Sequence, residues 1–305
     1  MVTDYKQIYV KHNFSIGSTY KNFILYPISF FVLIFPFLII GCGRRMNCIQ
    51  IKGSDTMVNL VQAWAEKFSE LNPGVNIAVT GGGSGTGIAA FISGTCDIVA
   101  SSRKMKEIEI NLSREHNLNP QEYIVALDGI AVVVHPENPV SRLTMEQLRD
   151  IFMGKIKNWK EVGGTDSNIV ILSREINSGT HIFFKEHVLR RGKSKGTEEF
   201  APEALLMPSS QAIVDEVIQN RSAIGYVGIG YLSDKLKAIE VSIGEGKPYI
   251  KPTIETVKKN IYPISRPLFL YTDCNCSPVV KKIIEFVFSD TGQKIVKDID
   301  FIPVK

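Results

Sequence analysis

The 305-residue chain is short of the groups that covalent or metal chemistry needs. It has five cysteines, none at the two-residue spacing of a zinc-ligand pair, and Cys274 and Cys276 stand too close for a relaxed bridge to each other. No metal and no cofactor are expected. Of its five histidines, His116, His135, His181 and His187 are scattered among loops and helical patterns, so packing or surface roles are expected for them. The glycine run Gly81 to Gly87 lacks the Gly-Lys-Ser/Thr ending of a nucleotide P-loop. Ser84 within it is not framed as Gly-x-Ser-x-Gly, because Thr86 stands where the last glycine is required. Neither an ATPase nor a serine hydrolase is supported. Excess charge is missing too: Lys+Arg 35 against Asp+Glu 31 gives +4, dispersed along the chain and too mild for a partner made of phosphodiesters. No nucleic acid is expected, and the lack of an internal repeat excludes a solenoid.

What is present is ordinary globular composition, 44% hydrophobic and 22% charged, at a length that suggests two compact lobes. The first segment stands apart. Phe23 to Ile40 carries no charge, follows Lys6, Lys11 and Lys21, and ends in Ile39-Ile40-Gly41-Cys42. A basic region, an apolar stretch and a small residue at the cut site make an export signal. The last four residues resemble the lipobox of bacterial lipoproteins, in which the cysteine is acylated and becomes the first residue. The alternative is an uncleaved membrane anchor, which Pro27 and Pro36 would weaken. Either way the remainder is expected outside the cytoplasmic membrane. Cutting before Cys42 removes three lysines and one aspartate, so the mature surface is nearly neutral. Pairing among Cys48, Cys96, Cys274 and Cys276 stays open.

From Ile49 the pattern is strand, turn, helix, repeated. Ile49 to Lys52 reads as a strand, and Met57, Leu60, Val61, Trp64, Phe68 and Leu71 form one apolar stripe on a helix stopped by Asn72-Pro73-Gly74. Val75 to Thr80 and Asp97 to Ala100 are further strands, the first ending in the glycine run and the second in Ser101-Ser102-Arg103. Ile124 to His135 is a longer apolar strand interrupted by Asp128-Gly129, suited to passing from one lobe to the other. Thr144-Met145-Glu146-Gln147 is a capping-box helix start, and Ser277-Pro278 opens a terminal helix. Ile169 to Ser173 is a strand followed by the turn Arg174 to Thr180, and Arg266 to Tyr271 is a second crossing strand. Alternating elements of this kind imply an α/β fold with mainly parallel sheets and ligands beyond the carboxyl ends of the strands.

Four turns therefore carry hydroxyls at helix starts, where unpaired N–H groups and a partial positive charge attract anions. Arg174 adds a guanidinium that can grip an oxyanion with two parallel bonds. Each hydrogen bond to a charged group contributes about 1.5–3 kcal/mol. A handful reaches the roughly −8 kcal/mol of a micromolar complex after ordering is subtracted. Taken singly, Gly53 to Thr56 is a plain N-cap, the glycine run a flexible turn, Arg174 a surface ion pair, and Trp64 with Phe68 core.

The order of the motifs is more specific than any one of them. Gly53-Ser54-Asp55-Thr56-Met57, Gly81 to Gly87, Asp97 to Arg103, Leu127 to Val134, and Arg174-x-x-x-Ser178-Gly179-Thr180 resemble the phosphate-binding subunit of bacterial high-affinity phosphate ABC transporters, the PstS type. Ile151-Phe152-x-Gly154-Lys155-x-x-x-Trp159 and Ala223 to Val227 fit the same family, so the likeness spans nearly everything after Cys42. The resemblance implies a two-lobed periplasmic-binding-protein-like fold (type II) with two crossing hinge strands. On that basis residues 1–41 are a lipoprotein signal peptide, 42–128 plus 266–305 form lobe I, and 129–265 form lobe II. It further implies a lipid-anchored monomer that captures inorganic phosphate and delivers it to the permease subunits, with closure near Asp128–Ala131 and Ser265–Leu268. Carried over by position, Ser54, Asp55 and Thr56 fall on the first anion-contacting turn, Ser84 on the second, Ser102 on the third, and Arg174, Ser178, Gly179 and Thr180 on the fourth.

One position departs from the pattern. Many family members have Asp where Ser102 stands, and that carboxylate accepts the proton that phosphate still carries near neutral pH. Asp55 stands where others often have Thr, so the acceptor is expected to have moved there. Competing readings are another tetrahedral oxyanion such as sulfate or molybdate, an exported phosphatase using Ser84 or Ser178, and a scaffold lipoprotein that has kept the fold alone.

Overall fold

The computed structural model describes residues 48–193 and 195–305. The expected signal peptide and the lipobox cysteine Cys42 lie outside the described residues. Arg45–Lys305 forms one compact unit. Its elements in chain order are β1 (Cys48–Gly53), α1 (Val58–Leu71), β2 (Asn76–Thr80), α2 (Ser84–Ile92), β3 (Ile98–Ser101), α3 (Glu107–Glu115), β4 (Pro120–Val134), β5 (Arg142–Thr144), α4 (Met145–Phe152) and β6 (Val170–Arg174). There follow α5 (Gly179–Phe184), β7 (Leu205–Met207), α6 (Ser210–Gln219), β8 (Ala223–Gly228), β9 (Lys237–Ala238), β10 (Glu240–Ser242), α7 (Ile254–Lys258), β11 (Ser265–Asp273), α8 (Pro278–Val287), α9 (Asp290–Asp298) and β12 (Ile302–Pro303).

Among the described residues the main sheet runs β2-β1-β3-β11-β4-β8-β6-β7. Parallel pairs make up its two ends, β2-β1-β3 and β8-β6-β7, as the strand-turn-helix rhythm requires. The two long strands β4 and β11 enter antiparallel to each other and to their flanking neighbours, which makes the sheet mixed. β4 is the hub, pairing β11 along its first part and β8 along its last.

Two lobes follow from where the apolar side chains go. One core gathers Leu60, Val61, Trp64 and Phe68 of α1 with Ile51, Ile98 and the inner faces of α8 and α9. A satellite cluster packs Ile88 and Phe91 of α2 against Phe269 and Tyr271. The other core holds Ile130 to Val134, Phe152, Trp159, Phe184 and Tyr226, with Phe184 stacked on Tyr226 at 4.1 Å between centroids. Each core is complete within Arg45–Lys305. The predicted stripe is buried at Leu60, Val61, Trp64 and Phe68 of α1 and at Met57 just before it, whereas Leu71 at the helix end is exposed, and Trp64 donates its indole N–H to Gly292 O at 2.8 Å. Thr144 and Gln147 exchange the two capping-box bonds at 3.1 and 2.9 Å. The cysteine question closes here: Cys48, Cys96, Cys274 and Cys276 are all free thiols.

Candidate functional site

Four turns after β1, β2, β3 and β6 leave the carboxyl ends of their strands and meet. Thr56 and Thr180 share a hydrogen bond of 2.8 Å between hydroxyls, although 124 residues separate them. Ser84 Oγ lies 3.3 Å from Ser102 Oγ and accepts the Ser102 backbone N–H at 3.0 Å. Gly179 closes the gap between these pairs: a Cβ on it would stand 2.3 Å from Ser84 Oγ and 2.5 Å from Ser102 Oγ. Side chains of any size are excluded at 179 by that approach. Ser178 caps α5, its hydroxyl accepting from the N–H groups of Thr180 and His181. Ser54, Thr56, Ser84, Ser102, Ser178 and Thr180 are all buried, Ser84 and Ser102 with no exposed surface.

The glycines of the second turn serve the same approach. Helix α2 lies so close to β1 that a Cβ on Gly87 would be 2.5 Å from Lys52 O. Gly85 donates its N–H to Asn177 O at 2.9 Å, and the Asn177 amide donates to Gly82 O and Thr86 Oγ1 at 3.0 and 3.1 Å. The turn before α5 is thus clasped by the turn before α2.

Two charged residues that the sequence reading gave only a hinge role sit against the hydroxyls. Asp128 of β4 and Arg266 of β11 face each other in register and are buried, with 0% and 3% exposure. Arg266 donates through Nε and Nη2 to Asp128 Oδ2 at 3.2 and 3.0 Å. Its Nη2 also reaches Thr180 Oγ1 at 2.9 Å and Thr56 Oγ1 at 3.4 Å, and its Nη1 donates to Ser102 O at 2.9 Å. Burial raises the Asp128 carboxyl above its usual range, and the Arg266 guanidinium beside it offsets only part of that rise. Burial lowers Arg266 as well, but a guanidinium starts so high that it keeps its charge. The available signal was a charge set among apolar residues in each of two strands, Asp128 within Ile124–Val134 and Arg266 before Pro267–Tyr271, which burial makes unfavourable unless the two meet.

Arg174 is turned elsewhere. Its Nε and Nη2 donate to Met207 O and Pro208 O at 3.2 and 3.0 Å, its Nη1 to Ser210 Oγ at 3.0 Å, and its Nη2 to Asp55 Oδ2 at 2.6 Å. The other oxygen of Asp55 accepts the Gly82 N–H at 2.9 Å, and its backbone carbonyl accepts the Tyr231 hydroxyl at 2.7 Å. Asp55 and Arg174 therefore tie the first turn to the fourth, next to the hydroxyl cluster. Behind the fourth turn, Ser173 Oγ bonds His181 Nδ1 at 3.1 Å and the Tyr226 hydroxyl at 2.8 Å. Burial holds His181 down at about 4, so it is neutral and structural, as its sequence context suggested.

Known proteins are similar to this chain in sequence and fold. Residues 19–291 match the family model of the PBP superfamily domain. The phosphate-binding protein PstS of Pseudomonas aeruginosa is 32% identical over 269 residues, 83% of this chain and 81% of its own. This chain belongs to the PBP superfamily, in its PstS family. The PstS of Staphylococcus aureus is likewise 32% identical, over 79% of this chain and 74% of its own. A crystal structure of a putative phosphate ABC transporter substrate-binding protein with bound phosphate from Clostridium perfringens superposes with a TM-score of 0.76 at 35% identity, covering 85% of this chain and 100% of that one. The ABC-type phosphate transport receptor of Vibrio cholerae gives 0.67 at 32%, covering 83% and 99%. Family membership accounts for the shared two-lobed α/β fold.

Proposed function

We propose that this chain is the extracytoplasmic phosphate-binding subunit of a phosphate ABC transporter, holding one inorganic phosphate between its lobes and passing it to the permease without covalent chemistry. The observation that carries this is the burial of hydroxyls from four separate turns, two of which, Thr56 and Thr180, bond the guanidinium of Arg266. The P. aeruginosa and S. aureus relatives are named for phosphate, and the C. perfringens structure has it bound. In this reading lobe I is 42–128 plus 266–305 and lobe II is 129–265, a division supported by the two cores. Closure turns about the segments around Asp128–Ala131 and Ser265–Leu268. Thr56, Ser84, Ser102, Ser178 and Thr180 give hydroxyl bonds, Ser54 and Gly179 shape the first and fourth turns, and the N-terminus of α2 adds its dipole. Asp55 and Arg174 hold the closed lobes together.

The proton acceptor is better placed at Asp128 than at Asp55. Both Asp55 oxygens are engaged, one by a guanidinium and one by a backbone N–H. Asp128 Oδ1 has only a long 3.3 Å bond from the Ile229 N–H, and an acceptor-only carboxylate there favours a protonated phosphate over fully ionised sulfate. The chemistry of an exported phosphatase is not favoured, because the histidine next to the cluster, His181, is bonded to Ser173. Ile39-Ile40-Gly41-Cys42 supports acylation of Cys42 after removal of 1–41, which would tether a monomer to the membrane surface. Calorimetric titration of the chain with inorganic phosphate, with sulfate as competitor, tests the reading: saturable binding of one phosphate supports it, and no heat, or equal preference for sulfate, refutes it.

A further inference from the structure

Beside the buried hydroxyl cluster runs a second set of bonds that uses none of its hydroxyls. In the proposed lobe division Arg174, Asn177 and Tyr231 belong to lobe II, and Asp55, Gly82, Gly85 and Thr86 to lobe I. Asn177 donates its amide N–H groups to Gly82 O and Thr86 Oγ1 at 3.0 and 3.1 Å, and its backbone carbonyl accepts the Gly85 N–H at 2.9 Å. Tyr231 donates its hydroxyl to Asp55 O at 2.7 Å, beside the 2.6 Å pair of Asp55 with Arg174. Gly82 and Thr86 are exposed and Asn177 is half-buried, so these bonds lie at the rim, outside the buried cluster. The glycine run is shaped to receive Asn177. A Cβ on Gly83, at φ +94°, would stand 2.9 Å from Asn177 O, and one on Gly85 would stand 3.1 Å from it.

None of these bonds needs an anion. They favour the closed arrangement whether or not phosphate is bound, because a contact shifts a two-state equilibrium by what it contributes in one state alone. We infer that Asn177 and Tyr231 are positioning residues that latch the lobes at the rim, so that the chain is part-closed before phosphate arrives and releases it slowly afterwards. Neither side chain touches the hydroxyl cluster, and both act through the closure that assembles it. The inference rests on the phosphate reading, but the latch itself can be measured without the ion. Opening exchanges these rim bonds for bonds to water, so each contributes little. Losing both side chains together corresponds to about tenfold in the balance between open and closed forms.

Asn177→Ala and Tyr231→Phe, singly and combined, test it in the chain from Arg45 onward, in which each core is complete. Small-angle scattering without phosphate is the first measurement. The double variant should have a larger radius of gyration than the parent, and should shrink more than the parent when inorganic phosphate is added. Release of radiolabelled phosphate into an excess of the unlabelled ion is the second, and should quicken by about tenfold in the double variant. Asn177→Asp keeps the shape of the side chain but loses its donors, so it should release phosphate as fast as Asn177→Ala or faster. A phosphate-free double variant no larger than the parent, or parent-like release from the double variant or from Asn177→Asp, overturns the inference. A parent that binds no phosphate in calorimetry refutes the transport reading instead, and scattering from the phosphate-free chains still decides the latch.

Discussion

Adding one methyl group at residue 179 should separate binding from folding. In Gly179→Ala the new Cβ would stand 2.3 Å from Ser84 Oγ, 2.5 Å from Ser102 Oγ and 3.0 Å from Ser84 Cβ. Both serines are fully buried and bonded to each other, so neither can swing into solvent to make room. In the proposed lobe division Gly179, which opens α5, lies in lobe II and both serines in lobe I. The clash is therefore relieved by holding the lobes apart, with both cores left intact. Overpacking of this kind amounts to about 1–3 kcal/mol. Losing even one charge-assisted bond to the anion adds about 1.5–3 kcal/mol. At about 1.4 kcal/mol per tenfold, phosphate should bind more weakly by about a hundredfold or more. Calorimetry gives the affinity, and a thermal melt without phosphate checks the fold, with Tm expected within a few degrees of the parent. Affinity within about threefold of the parent, equivalent to well under 1 kcal/mol, would refute the convergence of these turns on the anion.

Further expectations come from the charged pairs and the buried histidine. Asp128→Asn should lower the ratio of phosphate to sulfate affinity by about tenfold or more, the worth of one charge-assisted bond; an unchanged ratio in competition calorimetry would return the acceptor to Asp55 or elsewhere. Arg266→Ala strands a fully buried carboxylate, so unfolding in urea should show a loss of about 3–5 kcal/mol alongside lost phosphate binding. His181 binds protons less readily folded, at about 4, than unfolded at 6.5, so the unfolded chain takes up more protons between those values. Its contribution makes stability fall as pH drops from 6.5 toward 4, by up to a few kcal/mol, and His181→Asn should flatten that part of the urea-midpoint profile relative to the parent. A thiol reagent at neutral pH should label the exposed Cys48 and Cys274 and spare Cys96, which is buried and pushed up to about 11; rapid labelling of Cys96 in the native chain would contradict its placement.

Local signals in the sequence carried far. The stripe on α1 as far as Phe68, the Thr144 to Gln147 capping box and the Ser277-Pro278 start each depend on residues a few positions apart, and each appears as expected. The hydroxyl-bearing turns were legible for the same reason, since each belongs to one strand end. What distance along the chain concealed was the partner of each charge. Asp128 and Arg266 are 138 residues apart, and only the antiparallel pairing of β4 with β11 brings them into register beneath Thr56 and Thr180. Arg174 sits in a turn that reads as anion-binding, yet its direction is set by Met207, Pro208 and Ser210, which follow β6 by some thirty residues of intervening chain, and by Asp55. Short strands such as β5, β9, β10 and β12 have no periodicity of their own and are formed by neighbours that only the fold supplies.

The most direct measurement is a crystal structure of the chain grown with inorganic phosphate. A tetrahedral ion within hydrogen-bond distance of Thr56, Ser84, Ser102 and Thr180, with Arg266 and Asp128 beside it, is the predicted result. Phosphate seated away from those hydroxyls, or no ion between the lobes, would contradict the account.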